Sequence, residues 1–227
     1  MNGRLGDSDA FRVEDFYPQA LEAFRWQGEQ LCLPQNVSSL VVYYNRTLFQ
    51  RRNVPEPAED WTWSQLVAAA AELTLDEAGN RIRGGDPDAG GAKAAIYGLG
   101  IEPTLIRLAP LVWSNGGELV DDPPTRLTLG TPEGLGALRE LFALRQPFGV
   151  VPSDVEIEAE EDESRFANGR LAMLLASRRS TPTFARSRTS TGMLPLFPRF
   201  ASAWASFIPP PSAWPQRRIV RTLRGGS

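Results

Sequence analysis

The sequence predicts an α/β fold, because residue patterns typical of strands alternate with clear helix N-termini along the chain, and no internal repeat is present. Residues 40–44, LVVYY, are β-branched and aromatic, as in strands that are buried on both faces. Thr62 and Gln65 have the spacing of a capping box and are followed by apolar positions, so they predict a helix. Thr131 in the capping position and Pro132 in the first helical position predict another.

The remaining elements follow from apolar periodicity and from turn residues. A short amphipathic helix is predicted over 14–26, either broken or started near Pro18, and a turn is predicted at Gln27 and Gly28. Residues 166–173, FANGRLAM, predict a helix end, a glycine cap and a strand that enters the core. The other predicted elements are a helix over 63–74, a loop over 76–94, a strand over 95–100, a helix over 103–115 and an edge strand over 127–129.

The helix capped by Thr131 is expected to turn one face toward the core. The predicted buried residues of that face are Leu135, Leu138, Leu141 and Leu144. The acidic segment 156–164, EIEAEEDES, is interpreted as the solvated start of a helix. A metal site is not predicted there, since neither a turn-forming glycine nor spaced ligands accompany the acidic residues.

Composition excludes several classes of protein. The 24 Lys and Arg residues against 27 Asp and Glu give a net charge of -3, so no nucleic-acid partner is expected. Histidine is absent and Cys32 is the only cysteine, which excludes Ser-His-Asp and Cys-His catalysis, an internal disulfide and a thiolate metal cluster. No metal or other cofactor is therefore expected. No stretch reaches the roughly 18 apolar residues of a membrane span.

Five segments, in this order, resemble the extracellular solute-binding proteins of carbohydrate ABC importers, the group that includes the maltose- and glycerol-phosphate-binding proteins. The segments are YYNRTLFQRRNVPEPAEDWTWSQLVAAAAELT, YGLGIEP, WSNGGELVDD, TPEGLGALREL and FANGRLAM. The resemblance covers residues 14–184 and implies an α/β fold of the type II periplasmic-binding-protein kind, mostly the second lobe with a remnant of the first. In that fold, two lobes joined by crossover strands close on a ligand like a hinge.

The resemblance also divides the chain and implies its role. Residues 1–42 are expected to be a remnant of the first lobe and crossover, 43–184 the second-lobe α/β domain, and 185–227 a disordered tail. An alternative for the tail is a frameshift in the gene, which would place the residues after 187 out of frame. The implied protein is a monomer that delivers a small carbohydrate to ABC permease subunits. Intact relatives are expected to be periplasmic or extracellular and membrane-anchored, whereas the start of this chain lacks the apolar core of a signal peptide.

A carbohydrate site needs aromatic side chains for the sugar's C–H faces and polar groups for its hydroxyls. Trp113 and Asn115 supply one of each, and Gly116 and Gly117 allow the backbone to turn sharply beside them. The alternative for Trp113 is packing within the buried face of its helix. Trp63 is expected to pack near the capping box.

The resemblance places the other candidate ligand-binding residues at the hinge and in the cleft. They are Asn36, Ser38, Ser39, Glu102, Ser177 and Arg178. The first three match the hinge edge of the first lobe, where the alternative is a turn that caps its own backbone. Glu102 would bond sugar hydroxyls; its alternative is an exposed acid at a helix N-terminus. Arg178 would serve a charged or polyhydroxylated solute, against the alternative of a surface arginine.

Two alternatives to sugar binding stay open. A glycoside hydrolase would need two carboxylates across a scissile bond, and no such pair lies in a recognisable motif, so no enzyme is expected. A fragment with only one lobe would offer half a cleft and bind no ligand. In such a fragment the strand before Tyr43 is expected to lack neighbours and to expose an apolar edge.

Overall fold

The computed structural model describes residues 13–36, 38–58, 60–82, 93–185 and 191–195 of the 227-residue chain. The strands are β1 (Arg25–Trp26), β2 (Glu29–Gln30), β3 (Leu40–Asn45), β4 (Tyr97–Ile101), β5 (Leu171–Ser177) and β6 (Thr191–Pro195). The α-helices are α1 (Pro18–Glu22), α2 (Arg46–Arg51), α3 (Trp63–Glu72), α4 (Leu105–Ser114), α5 (Pro132–Ala143), α6 (Asp154–Ala159), α7 (Asp162–Ala167) and α8 (Thr181–Phe184). None of these helices combines the length and the apolarity that crossing a membrane requires.

A four-stranded sheet of order β4-β5-β3-β6 forms the centre of the fold. β5 pairs in parallel with β4 and antiparallel with β3, and β3 pairs antiparallel with β6 on its other side. β3 is therefore an interior strand, and the expectation that it lacks neighbours is wrong. Its buried residues from Val41 onward fit this interior position.

Apolar side chains pack on both faces of the sheet. On one face, Val42 and Tyr44 belong to a core cluster that includes the buried residues of α3. On the other face, the Tyr43 ring lies 4.7 Å from that of Phe184, measured between centroids, and Phe184 lies 4.9 Å from Phe166. Helices thus cover a mixed sheet on both sides, and the predicted α/β class is confirmed.

The capping box that predicted α3 is present. Thr62 Oγ1 accepts a hydrogen bond from the Gln65 N–H at 3.3 Å, and Gln65 Oε1 accepts one from the Thr62 N–H at 2.8 Å. Trp63 is buried, and its indole N–H donates to Glu140 at 3.2 Å. The predictions for this helix and for Trp63 as a packing residue are confirmed.

Helix α5 begins as predicted and buries part of the predicted face, since Leu141 and Leu144 pack in the core. Thr131 Oγ1 accepts a hydrogen bond from the Gly134 N–H at 3.2 Å. Leu144 is fully buried as predicted, whereas Leu135 is 40% exposed, so the predicted face is wrong there. The cause is the close approach of the helix start, because a Cβ added to Gly134 would lie 2.6 Å from the Leu129 carbonyl oxygen.

Two other elements are shorter than predicted. The helix predicted over 14–26 is limited to α1, because the chain then turns at Gln27 and Gly28, with φ of 48° and 81°, into the β1–β2 hairpin. The predicted strand over 127–129 is reduced to a single bridge between Val120 and Leu127. FANGRLAM gives the end of α7, Gly169 with φ of 75°, and β5, as predicted.

The acidic segment 156–164 is less solvated than predicted. The side chains of Glu160 and Asp162 are only 16% and 11% exposed, because both lie beside the Arg165 guanidinium, which is itself 8% exposed. The interpretation as a solvated helix start is wrong for these two residues. In the described part of the chain, no group of three or more acidic, cysteine or histidine side chains is arranged to hold a metal ion.

Strand β6 lies within the predicted tail, so the expectation of an irregular tail does not hold for residues 191–195. Residues 186–190 and 196–227 lie outside the described residues. The frameshift and the division into lobes stay predictions.

Candidate functional site

The carboxyl ends of β4 and β5 and the amino end of β3 meet at one edge of the sheet. Ile101 of β4 is in register with Leu175 of β5, and Ser177 of β5 is in register with Leu40 of β3. Neighbouring strands lie about 4.8 Å apart, so the three strand ends span about 10 Å. We call residues 38–39, 102 and 177–179 the strand-end edge. It brings together five of the predicted ligand-binding residues: Ser38, Ser39, Glu102, Ser177 and Arg178.

Hydrogen bonds tie the start of β3 to the end of β5. Ser38 Oγ lies 2.6 Å from Ser177 Oγ, and Ser177 Oγ accepts a hydrogen bond from the Arg179 N–H at 3.3 Å. The Arg178 N–H donates to the Ser39 carbonyl oxygen at 2.9 Å. These bonds fix the backbone of the edge, and both arginine residues are exposed. Asn36 is also exposed and precedes this segment.

A buried tyrosine makes hydrogen bonds to the end of β5 and to the segment that follows it. The Tyr43 hydroxyl lies 2.8 Å from Thr181 Oγ1 and 3.2 Å from the Ser177 carbonyl oxygen. The Thr181 hydroxyl donates to the Arg178 carbonyl oxygen at 2.7 Å. Burial raises the pKa of Tyr43, so this hydroxyl stays protonated at neutral pH. Sequence reasoning missed both hydroxyls, since Tyr43 is marked only as part of an apolar run.

Glu102 stands at the exposed side of the edge, directly after β4. Its side chain is 61% exposed, and the Arg107 Nε lies 3.5 Å from its Oε2. Arg107 is only 16% exposed and its Nε makes no hydrogen bond to the described residues, so the exposed carboxylate is paired by charge alone with a largely buried guanidinium. Leu105 and Ile106, 51% and 75% exposed, lie next to this pair at the start of α4. In the sequence, only the spacing of about one helical turn between Glu102 and Arg107 could have indicated that the two side chains pair.

Trp113 and Asn115 lie at the other end of α4. At 1.5 Å per residue, Trp113 is about 12 Å along the helix from Leu105. The indole is half-buried, and the Asn115 side-chain amide donates to the Glu133 carbonyl oxygen at 2.7 Å, which joins α4 to α5. The structure therefore does not bring these two predicted residues to the strand-end edge. Their role in binding stays a prediction.

The chemistry of the edge is that of reversible hydrogen bonding. A carboxylate supplies acceptors, guanidinium groups supply donors, and the Ser38 and Ser177 hydroxyls can act as either. The negative charge of Glu102 at the edge is balanced by the positive charge of Arg107 beside it. Such an arrangement suits a small polar molecule that presents several hydroxyl groups.

The sequence of this chain is similar to those of known binding proteins. A family model described as bacterial extracellular solute-binding protein matches residues 3–213. A binding protein of Brucella abortus (strain 2308) is 25% identical over 178 residues, which cover 74% of this chain and 38% of the relative.

Three solved structures show the same fold. An ABC substrate-binding protein of Listeria monocytogenes, in complex with cycloalternan, has a TM-score of 0.73 and 24% identity, covering 85% of this chain and 45% of that one. The maltose-bound MalE3 of T. maritima has a TM-score of 0.63 and 21% identity, covering 88% and 49%. UgpB from Mycobacterium tuberculosis, in complex with glycerophosphocholine, has a TM-score of 0.62 and 22% identity, covering 86% and 45%. The chain thus spans less than half the length of each of these relatives.

Proposed function

We propose, because this chain belongs to the family of bacterial extracellular solute-binding proteins, that it is the substrate-binding component of an ABC importer and that its solute is a carbohydrate. The family consists of binding proteins and not of enzymes. The observation that carries the proposal is the strand-end edge, where Glu102 and the Ser38–Ser177 hydroxyl pair lie on the ends of three adjacent strands.

The geometry supports a carbohydrate in particular. A sugar presents neighbouring hydroxyls, each of which donates one hydrogen bond and accepts others. The exposed carboxylate of Glu102 can accept from two such hydroxyls, and Arg107 lies 3.5 Å from it with the opposite charge. The carbohydrates cycloalternan and maltose are bound by two of the structural relatives. The same chemistry would serve a related polyol.

We propose that the edge forms one wall of a cleft, and a binding protein of this kind needs a second wall. Ligand burial between two walls supplies most of the affinity, because polar contacts on an open surface compete with water. We propose that the opposing wall belongs to the first lobe of the fold, which closes on the solute by a hinge motion at the crossover strands. The partners would be the permease subunits of the importer, and the site of action the cell exterior or periplasm.

A second candidate is that the chain as given binds no solute. It is favoured by the share of the relatives that the chain covers, 45% to 49% for the three solved structures described above. An open half-cleft would leave the solute exposed on one side and weaken its binding.

Calorimetric titration with mono- and oligosaccharides distinguishes the two candidates. The wild-type chain is expected to bind at least one of them, and Glu102→Gln should weaken that binding about tenfold or more, the value of a hydrogen bond to a charged group. Glu158→Gln is the matched control, since Glu158 is exposed on α6, away from the strand ends. Absence of binding to the whole panel would favour the second candidate, and equal affinities of both variants would remove Glu102 from the site.

A further inference from the structure

Two adjacent arginines lie at the strand-end edge. Arg178 and Arg179 follow β5 directly, and both side chains are exposed. Neither guanidinium has a hydrogen-bond or ion-pair partner among the residues that the structure describes. Their backbone N–H groups are already bonded, to Ser39 and Ser177, so the side chains are the groups left to meet a ligand.

The acidic groups near the pair are engaged elsewhere. Glu102 is matched by Arg107 at 3.5 Å, and Glu163 accepts a hydrogen bond from the Ser180 hydroxyl at 2.8 Å. With these five charged groups counted together, three arginines face two glutamates, so the edge carries an excess of one positive charge. The buried carboxylates of Asp162 and Glu160 face Arg165 and Arg170 and do not change this balance.

The edge also lacks the groups that favour a neutral sugar face. Residues 38–39, 102 and 177–179 include no aromatic side chain, and Tyr43 beneath them is 1% exposed and packs against Phe184. The predicted platform, Trp113, lies at the far end of α4. Recognition at the strand ends therefore depends on charge and hydrogen bonding, with little area for stacking against a sugar ring.

From these observations we propose that the solute carries an anionic group, a phosphate or a carboxylate, and that Arg178 and Arg179 hold it. The proposal rests on the proposed function and narrows its substrate class to anionic polyols. A planar guanidinium can donate two parallel hydrogen bonds to two oxygens of one oxyanion. A hydroxyl group of a neutral solute offers only one oxygen and no charge, so it binds a guanidinium less strongly. The Ser38 and Ser177 hydroxyls lie beside the pair, where they can donate to the same anion or to the adjoining hydroxyls.

The test compares matched solutes that differ only in charge. The full chain is titrated calorimetrically with glucose, glucose 6-phosphate and glucuronate, and with glycerol and glycerol 3-phosphate. The anionic member of each set is expected to bind at least tenfold more tightly than the neutral one. Its affinity should fall as the salt concentration rises, because salt screens exposed charges.

Variants locate the effect. The double substitution Arg178→Gln, Arg179→Gln should remove the preference for the anion, and Arg178→Lys, Arg179→Lys should retain part of it, since lysine keeps the charge but not the fork. Arg139→Gln is the control for the loss of one positive charge, to be compared with Arg178→Gln alone, because Arg139 is exposed on α5. Melting curves verify that these exposed substitutions leave the fold intact.

The outcomes separate this proposal from the proposed function. Equal binding of neutral and anionic solutes, with no effect of the glutamine double variant, overturns the anionic proposal and leaves sugar binding in place. Absence of binding to every solute overturns both. An anion preference that Arg139→Gln reduces as much as Arg178→Gln also overturns the assignment to Arg178 and Arg179.

Discussion

A buried carboxylate shows how strongly a single residue depends on its surroundings. Both oxygens of Asp162 are buried and lack a hydrogen bond of good geometry to the described residues, although the Ile101 backbone N–H lies near enough to oppose the rise of the Asp162 pKa that burial causes. Asp162 Oδ2 would lie 2.8 Å from a Cβ added to Gly100, so the glycine leaves room for it against β4. Burial raises the pKa of Asp162 to about 6, although the Arg165 guanidinium, 3.9 Å away, opposes that shift.

This pKa predicts a pH dependence of stability. In the unfolded chain Asp162 releases its proton near the ordinary value of 3.8, and in the folded chain only near pH 6. Between these two values the folded state binds a proton that the unfolded state has released. The free energy of unfolding therefore falls as pH rises from about 4 to about 6, by about 3 kcal/mol at most. Asp162→Asn should remove this loss.

Urea unfolding followed by circular dichroism from pH 4 to pH 7 measures the effect. The informative quantity is the difference in unfolding free energy between wild type and Asp162→Asn, which should move in favour of the variant as pH rises. A difference that stays constant over this range would show that the carboxyl group titrates alike in both states.

At the scale of elements, α3 and β4 pack with backbone in contact. Thr74 Oγ1, just past the end of α3, donates to the Ala70 carbonyl oxygen at 2.8 Å and accepts the Gly98 N–H at 3.1 Å. A Cβ added to Gly98 would lie 2.0 Å from the Ala70 carbonyl oxygen. Only glycine at position 98 therefore allows α3 and β4 to approach this closely. The position of β4 in turn fixes the position of Glu102, which follows it directly.

Gly98→Ala should destabilise the protein by about 3 kcal/mol or more, because the clash is with backbone and neither element can yield without moving the core. Gly130→Ala is the matched control. No atom lies within 4 Å of a Cβ added there, so its effect should stay within about 0.5 kcal/mol. Thermal unfolding of the two variants decides the point, and similar melting temperatures would disprove the close-packing argument.

At the scale of the whole molecule, β6 covers the edge of β3. It pairs with β3 from Val41 to Asn45, and Gly192 lies so close to Tyr44 that an added Cβ would be 2.0 Å from its ring. Without this strand, β3 would present unpaired backbone groups and its apolar side chains at a sheet edge, which is a template for aggregation. The strand therefore matters to the sheet that supports the strand-end edge.

Two truncations test this role of β6. A chain that ends at residue 185 should melt at a lower temperature and form aggregates, whereas a chain that ends at residue 195 should keep the sheet paired. Light scattering after size-exclusion chromatography, together with melting curves, compares them. Equal behaviour of the two truncations would mean that β6 adds nothing to the stability of the sheet.

The sequence by itself determined the features that depend on near neighbours in the chain. The capping box at Thr62, the N-cap at Thr131 and the glycine turn at Gly169 are local signals, since each joins residues a few positions apart. The family followed from five such segments in order, and the family match confirms it. The LVVYY run predicted a buried strand for the same reason, because burial on both faces leaves a continuous apolar pattern.

Only the tertiary structure decided which distant residues meet. Ser38 and Ser177 are 139 positions apart, and their contact depends on the order and direction of β3 and β5. The burial of the Arg107 and Asp162 side chains likewise depends on how their helices pack against the sheet. No local pattern encodes these, because they result from the packing of segments that are remote in sequence and share no periodic signal.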